Sequence, residues 1–171
     1  MKTASQSEDL IGRDLSIWKR IVTHPFLIGM SPHHLKLLAH SAIEKEFKAG
    51  EIVFRAGQSA HGFYLVESGR IALEGAVMEH DPITTDIVQA GEPLGWSWLF
   101  PPYRWHFDAR ATEPTTAIFF DGDTLRRHYT EDLTLAHDLS QRMCKVMAHR
   151  LQATRRKLIE TVHKSGLSAE A

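Results

Sequence analysis

The sequence predicts an α+β chain: a β-rich middle built as an antiparallel sandwich or barrel, helices before it, and one long helix after it. Three observations carry this. Before Phe47, apolar residues recur at helical spacing. Between Lys48 and Asp121, short β-prone runs alternate with closely spaced glycine-containing turns. From Asp123 onward, steps of three and four return and persist for roughly thirty residues, about 45 Å at the helical rise.

In chain order, residues 1–8 are polar and read as a tail. One domain is expected over residues 9–163, its long helix covering about 132–163, with a second tail at 164–171. Leu10, Ile11, Leu15, Trp18 and Ile21/Val22 space a first helix between Asp9 and Val22. Ser31-Pro32 supplies an N-cap followed by a proline at the first helical position. The helix it starts carries Leu35, Leu38 and Ala42 on one face. Strands are expected at Glu51–Arg55, Gly62–Glu67 and Arg70–Gly75, set off by the turns Ala49-Gly50, Ala56-Gly57 and Ser68-Gly69. Thr84–Gln89, Ala109–Thr112 and Thr115–Asp121 complete the β part. The long helix carries Leu133, Leu139, Met143, Met147, Leu151, Leu158 and Val162. Its stripe Cys144, Met147, Leu151, Thr154 and Leu158 approximates an a/d seam. A small β domain cannot cover a helix of that length, so a homodimer through it is expected. The alternative is that the stripe packs on its own domain.

Composition narrows the function. The chain has 171 residues, 43% hydrophobic and 24% charged, enough for one core. A formal net charge of −1 and a pI near 6.8 argue against a broadly basic nucleic-acid-binding or membrane-surface protein. The single cysteine, Cys144, excludes an intrachain disulfide and an iron–sulfur cluster held by this chain alone. No apolar run is long enough to span a bilayer, and the N-terminus lacks a signal-peptide core. A cytoplasmic location is expected.

Leu94–Ala111, LGWSWLFPPYRWHFDARA, concentrates three of the four tryptophans with Pro-Pro, two arginines and His-x-Asp. Trp96, Trp98, Tyr103 and Trp105 can line a pocket for a flat ligand, with Arg104 and His106 as polar anchors. They can equally collapse inward and fill it. His106-Phe107-Asp108 is half of a two-His-one-carboxylate iron site, but the later histidines fall on expected helices. No metal or cofactor is expected. His33-His34, at a helix start, reads as solvent-exposed and no site.

Four stretches resemble the cyclic nucleotide-binding domain shared by catabolite-activator-type regulators, cyclic-nucleotide-dependent kinases and gated channels. They are HPFLIGMSPHHLKLLAHSAIEKEFKAGEIVFRAGQSA, FYLVESGRIAL, QAGEPLGWSWLF and MAHRLQATRRKL. Their order spans residues 24–162. The resemblance implies an antiparallel, jelly-roll-like β-roll (a double-stranded β-helix), with N-terminal helices and a long C-terminal helix. It also implies a phosphate-binding cassette, Gly-Glu-x-Ala/Gly-Leu then Arg-Ser/Thr-Ala, whose Arg and helix start hold the cyclic phosphate and whose Glu holds the ribose hydroxyl.

Carried over residue by residue, Gly95 falls on the cassette glycine and Trp96 replaces the glutamate; Ser97, Trp98 and Leu99 follow. Gly91-Glu92 sits four residues early and reads as a decoy. Trp105-His106-Phe107 falls near the Arg-Ser-Ala triplet, and a turn one residue different in length would put Arg104 there. Thr154 matches a purine-contacting threonine, and Arg155 follows it. Indole only donates hydrogen bonds, so Trp96 cannot accept from a ribose hydroxyl. The lost charge-assisted contact is worth about 1.5–3 kcal/mol.

The leading expectation is a stand-alone sensor or regulatory domain and not an enzyme. It either takes a ligand other than cyclic AMP in the usual mode or has lost nucleotide binding. It signals through its C-terminal helix to a separate, unidentified partner protein. The ligand contacts would be Gly95, Trp96, Ser97, Trp98, Leu99, Arg104, Trp105, His106, Thr154 and Arg155. The alternatives are a structural interaction module with a tryptophan-filled pocket, an ordinary cyclic AMP receptor, and a metal-dependent enzyme using His106 and Asp108. The basic run Arg150, Arg155, Arg156, Lys157 reads as the solvated flank of the seam. With no helix-turn-helix after it, direct DNA binding is not expected.

Overall fold

Two four-stranded antiparallel sheets form the β-roll, in the orders β1-β8-β3-β6 and β2-β7-β4-β5. The structure is a computed structural model and describes residues 16–77 and 80–168. Helix α1 covers 16–23, a 3-10 turn follows at Pro25–Leu27, and α2 spans Pro32–Ala39. The strands are β1 Ala42–Phe47, β2 Ile52–Phe54, β3 Gly62–Ser68, β4 Arg70–Val77, β5 His80–Gln89, β6 Pro93–Leu94, β7 Asp108–Ala111 and β8 Thr115–Asp121. Helices α3, Gly122–Glu131, and α4, Leu133–Ser168, follow.

Local sequence explains much of this. Ser31 Oγ accepts from the His34 N–H at 3.1 Å and caps α2, with Pro32 behind it. Asp121 Oδ1 accepts from the Thr124 N–H at 2.8 Å and caps α3. Asp132 breaks the helices apart and starts α4 by accepting from the N–H groups of Thr134 and Leu135, both at 3.0 Å. Hydrogen bonds from the Thr134 hydroxyl and Leu135 N–H hold its carboxyl down at about 2.

Alternation along β3 divides the core. Phe63 faces the helices, stacked on Phe120 at 4.8 Å and edge-on to Phe26 at 6.2 Å. Tyr64 faces the opposite sheet and meets Phe54 of β2 at 6.2 Å. His24 is buried beside this core, its Nε2 3.1 Å from the Val66 carbonyl and its Nδ1 accepting from the Phe26 N–H at 3.3 Å. Burial pulls its pKa below the ordinary histidine value, against the Val66 hydrogen bond.

Four expectations change. Ala42 does not extend α2, which ends at Ala39. It opens β1 and pairs with Phe120, because edge pairing with β8 outweighs the apolar spacing. The two-residue strand β6 carries too little pattern to read. The long helix continues to Ser168, so the residues from 164 expected as tail start on the helix; a glycine inside it costs about 1 kcal/mol without forbidding it. The expected tail at 1–8 lies outside the described residues, as do Leu10, Ile11 and Leu15.

The fourth correction concerns His34, which is buried and not solvent-exposed. Its Nε2 lies 3.1 Å from Thr134 Oγ1 and 3.5 Å from Asp132 Oδ2, and its Nδ1 lies 3.8 Å from Asp138 Oδ2. It fastens α2 to the start of α4 across a hundred residues, which local reading cannot anticipate. His33 stays outside, 3.4 Å from Asp132. No described helix is long and apolar enough to cross a membrane.

Candidate functional site

The Leu94–Ala111 segment leaves the sheet at β6, where Leu94 pairs with Tyr64. Gly95 then adopts a left-handed φ of 93° and turns the chain into a 3-10 helix, Trp96–Leu99. A Cβ at Gly95 would sit 2.7 Å from Trp105 Cζ3. The indole of Trp105 therefore lies directly on the glycine backbone, where a side chain of any size is excluded.

Trp105 is buried and stacks on Phe54 with ring centroids 3.9 Å apart and planes 12° from parallel. Its backbone is fixed too: the Trp105 N–H donates to the Gln58 carbonyl at 2.9 Å, and the Gly57 N–H donates to the Trp105 carbonyl at 2.8 Å. Trp96 is half-buried and stacks on His106 at 4.7 Å. His106 Nδ1 lies 3.0 Å from the buried Ser97 hydroxyl. Between these groups, bounded by Phe54, Leu73, Gly95, Trp96, Trp105 and Arg150, the remaining cavity is about 10 Å³. That is room for one water at most.

The structure thus brings together Gly95, Trp96, Ser97, Trp105 and His106. The other expected residues sit elsewhere. Trp98 points into the helix-facing core, stacked on Phe63 at 5.6 Å and edge-on to Tyr129 at 5.5 Å. Leu99 is half-buried against that same core. Arg104 is exposed, donates to the Gly57 carbonyl at 2.6 Å and does not border this cavity. Thr154 and Arg155 are exposed on α4 and do not border the cavity.

Arg150 is a site residue that the sequence reading assigned to the solvated flank of the helix. It does not solvate a helix flank. It donates to the Pro93 carbonyl at 2.7 Å, lies 3.5 Å from Asp86, and borders the cavity. Burial pulls its guanidinium below the ordinary value, opposed by Asp86 and Glu92. Its position four residues before Thr154, on the same helix face, was the available signal.

Glu92 accepts from the Gln89 N–H at 2.8 Å and closes the turn before β6. His106 and Asp108 are committed to different neighbours: Asp108 accepts from the Ala56 N–H at 2.7 Å and faces Arg55 at 3.4 Å. Among the described residues no cluster of three His, Cys, Asp or Glu could hold a metal ion.

Comparison with known proteins adds the following. A family model described as cyclic nucleotide-binding domain matches residues 44–132, just over half of the chain. A cyclic nucleotide-binding protein from Geobacter metallireducens GS-15 is 25% identical, with a TM-score of 0.70 over 78% of this chain and 96% of that one. A cyclic nucleotide-binding domain from Methylobacillus flagellatus KT is 13% identical, with a TM-score of 0.74 over 85% of this chain and 84% of that one. The regulatory subunit of a cAMP-independent protein kinase A from Trypanosoma cruzi, bound to guanosine, is 21% identical; the TM-score is 0.64 over 79% of this chain and 47% of that one. No curated protein gives a significant sequence match.

Proposed function

This chain belongs to the cyclic nucleotide-binding domain family, and from that we propose that it is a regulatory domain whose nucleotide pocket is closed by its own indoles against cyclic AMP in the usual mode. One observation carries the reading: the cavity between cassette and α4 is about 10 Å³, with Trp105 seated on Gly95. Ligand pockets run to about 300–1,000 Å³. To admit a nucleotide, Trp105 must leave its stack. That forfeits about 1.5–3 kcal/mol of burial and about 0.5–1.5 kcal/mol of stacking on Phe54. The sum, about 2–4.5 kcal/mol, weakens binding about 30- to 2,000-fold. Trp96 then offers no acceptor to the ribose, which weakens it further.

The test is calorimetric titration of the full chain with cyclic AMP and cyclic GMP. No saturable heat is expected up to about 1 mM, the range of a binding free energy near −4 kcal/mol. Saturable micromolar uptake would return the domain to the ordinary second-messenger receptors.

The output of such a module runs through α4. Leu151, Leu158 and Val162 are 71%, 63% and 63% exposed on the single chain, on a helix that projects from the β-roll. Isolated apolar residues are unremarkable on a surface, but a stripe at heptad spacing supports a second copy of this helix as its cover. The homodimer is then the signalling unit, acting on a separate partner protein. Leu151→Glu/Leu158→Glu is expected to convert a dimer to a monomer in light scattering coupled to size exclusion, with the β-roll's thermal transition retained. A wild-type monomer at all concentrations would remove this part of the reading.

A further inference from the structure

The Phe54–Trp105 stack has two sides. One is the closed nucleotide pocket. The other is the floor of an open groove of about 820 Å³ at the mouth of the β-roll, within the size range of small-molecule sites. We propose that this groove binds a small planar anion, at a site separate from the nucleotide pocket.

The lining carries the chemistry. Lys45, His61 and Arg104 border the groove, and among the described residues no carboxylate does. Neither Lys45 nor Arg104 forms an ion pair among the described residues, although the chain has as many acids as bases to offer: 21 Asp+Glu against 20 Lys+Arg. Two uncompensated cations facing one concavity attract an anion. Tyr64 and Phe119, 4.9 Å apart, supply aromatic wall beside the edge of Trp105.

The wall that carries Arg104 is rigid before any ligand arrives. Residues 103–105 run antiparallel to 57–60: the Ala60 N–H donates to Tyr103 at 2.7 Å, Ser59 bridges Arg104, and the Trp105 N–H donates to Gln58 at 2.9 Å. One Arg104 N–H is spent on the Gly57 carbonyl at 2.6 Å, which fixes the side chain over the groove. The rest of the planar fork makes no other hydrogen bond among the described residues, and such a fork matches a carboxylate or phosphate. A concave site of this volume suits a free small molecule with a flat body and an acidic group.

The experiment uses the ¹⁵N-labelled full chain and a matched pair of probes, 2-naphthoate and the neutral 2-naphthalenemethanol. Naphthoate is expected to shift the Trp105 indole N–H and the Gly57 and Arg104 amides saturably at concentrations up to about 1 mM, with at least tenfold weaker binding of the alcohol. Lys45→Ala/Arg104→Ala is expected to weaken naphthoate at least tenfold while the Trp98 indole signal, a marker of the intact core, stays in place. Equal binding of alcohol and acid, or an unchanged affinity in the double variant, overturns the proposal. So does the absence of saturable shifts. Shifts at Gly95 and Trp96 in place of Gly57 and Arg104 also overturn it, and they would show in addition that the nucleotide pocket opens; the cyclic AMP titration fails or succeeds independently of the groove. If the double variant does not fold, the comparison of the two probes on the wild type decides.

Discussion

Trp98→Ala is expected to cost about 3–5 kcal/mol of stability, the range for truncating a buried aromatic to alanine. For a chain of this size that lowers the melting temperature by about 6–20 °C. Trp98 is fully buried and joins three parts of the molecule. Its ring stacks on Phe63 of β3 and meets Tyr129 of α3 edge-on. Its carbonyl accepts from Arg126 of α3 at 2.9 Å. Removing the indole therefore opens a hole where the cassette, the sheet and α3 meet. Its Nε1 is buried without a hydrogen-bond partner among the described residues. Trp98→Phe keeps a ring on Phe63 and removes that unpaired donor, so it is expected to cost less than half as much. Chemical denaturation of the two variants measures both. Equal losses would show that the ring retained against Phe63 contributes nothing and that removing the unpaired N–H gives no relief.

The three tryptophans of one segment looked like a single cluster in the sequence, and the fold separates them for a geometrical reason. Trp96 and Trp98 lie two residues apart on a 3-10 helix, where each residue turns about 120°. Their side chains therefore point about a third of a turn apart, one toward His106 and one toward Phe63. Trp105 reaches Gly95 because its strand is held by residues 57–58, a contact nearly fifty positions away that no local pattern encodes. The same limit hid the burial of His34, whose partners Asp132 and Thr134 arrive at the start of α4.

What was legible depended on local chemistry. The Ser31-Pro32 helix start and the glycine turns at Gly50, Gly57 and Gly69 are written in single residues with a conformational consequence, each glycine having φ near 80°. The period of α4 is long enough to average out exceptions. Strand β1 was not legible: AIEKEF places four exposed positions in a row, a pattern that matches neither a buried helix nor a half-buried strand. The family resemblance supplied the β-roll and the cassette glycine. It could not decide which way Arg104 turns, because the family pattern permits either register and only the pairing of residues 57–60 with 103–105 selects one.

Trp96→Glu/Trp105→Arg is expected to create the cyclic AMP binding that the proposed closed pocket denies to the wild type. The double change writes the family's two polar contacts back into the cassette and removes the ring that covers Gly95. Each charge-assisted hydrogen bond to the ligand contributes about 1.5–3 kcal/mol, so the pair supplies about 3–6 kcal/mol, a gain of about a hundred- to twenty-thousandfold before the cost of displacing the plug is counted. Without ligand the variant loses the Phe54–Trp105 stack and buries an arginine beside Phe54, so its melting temperature falls. Added nucleotide should then raise it by mass action, about 2.7 kcal/mol of stabilisation at a hundred times Kd. Trp105→Ala alone separates the two contributions: it removes the plug, joins the cavity to the open groove, and adds no phosphate partner. It is expected to lose stability and gain little affinity. If the double variant folds, by its circular dichroism, yet binds cyclic AMP no better than Trp105→Ala, then the missing glutamate and arginine are not what excludes the nucleotide, and the barrier lies in the placement of α4 and Arg150 over the pocket.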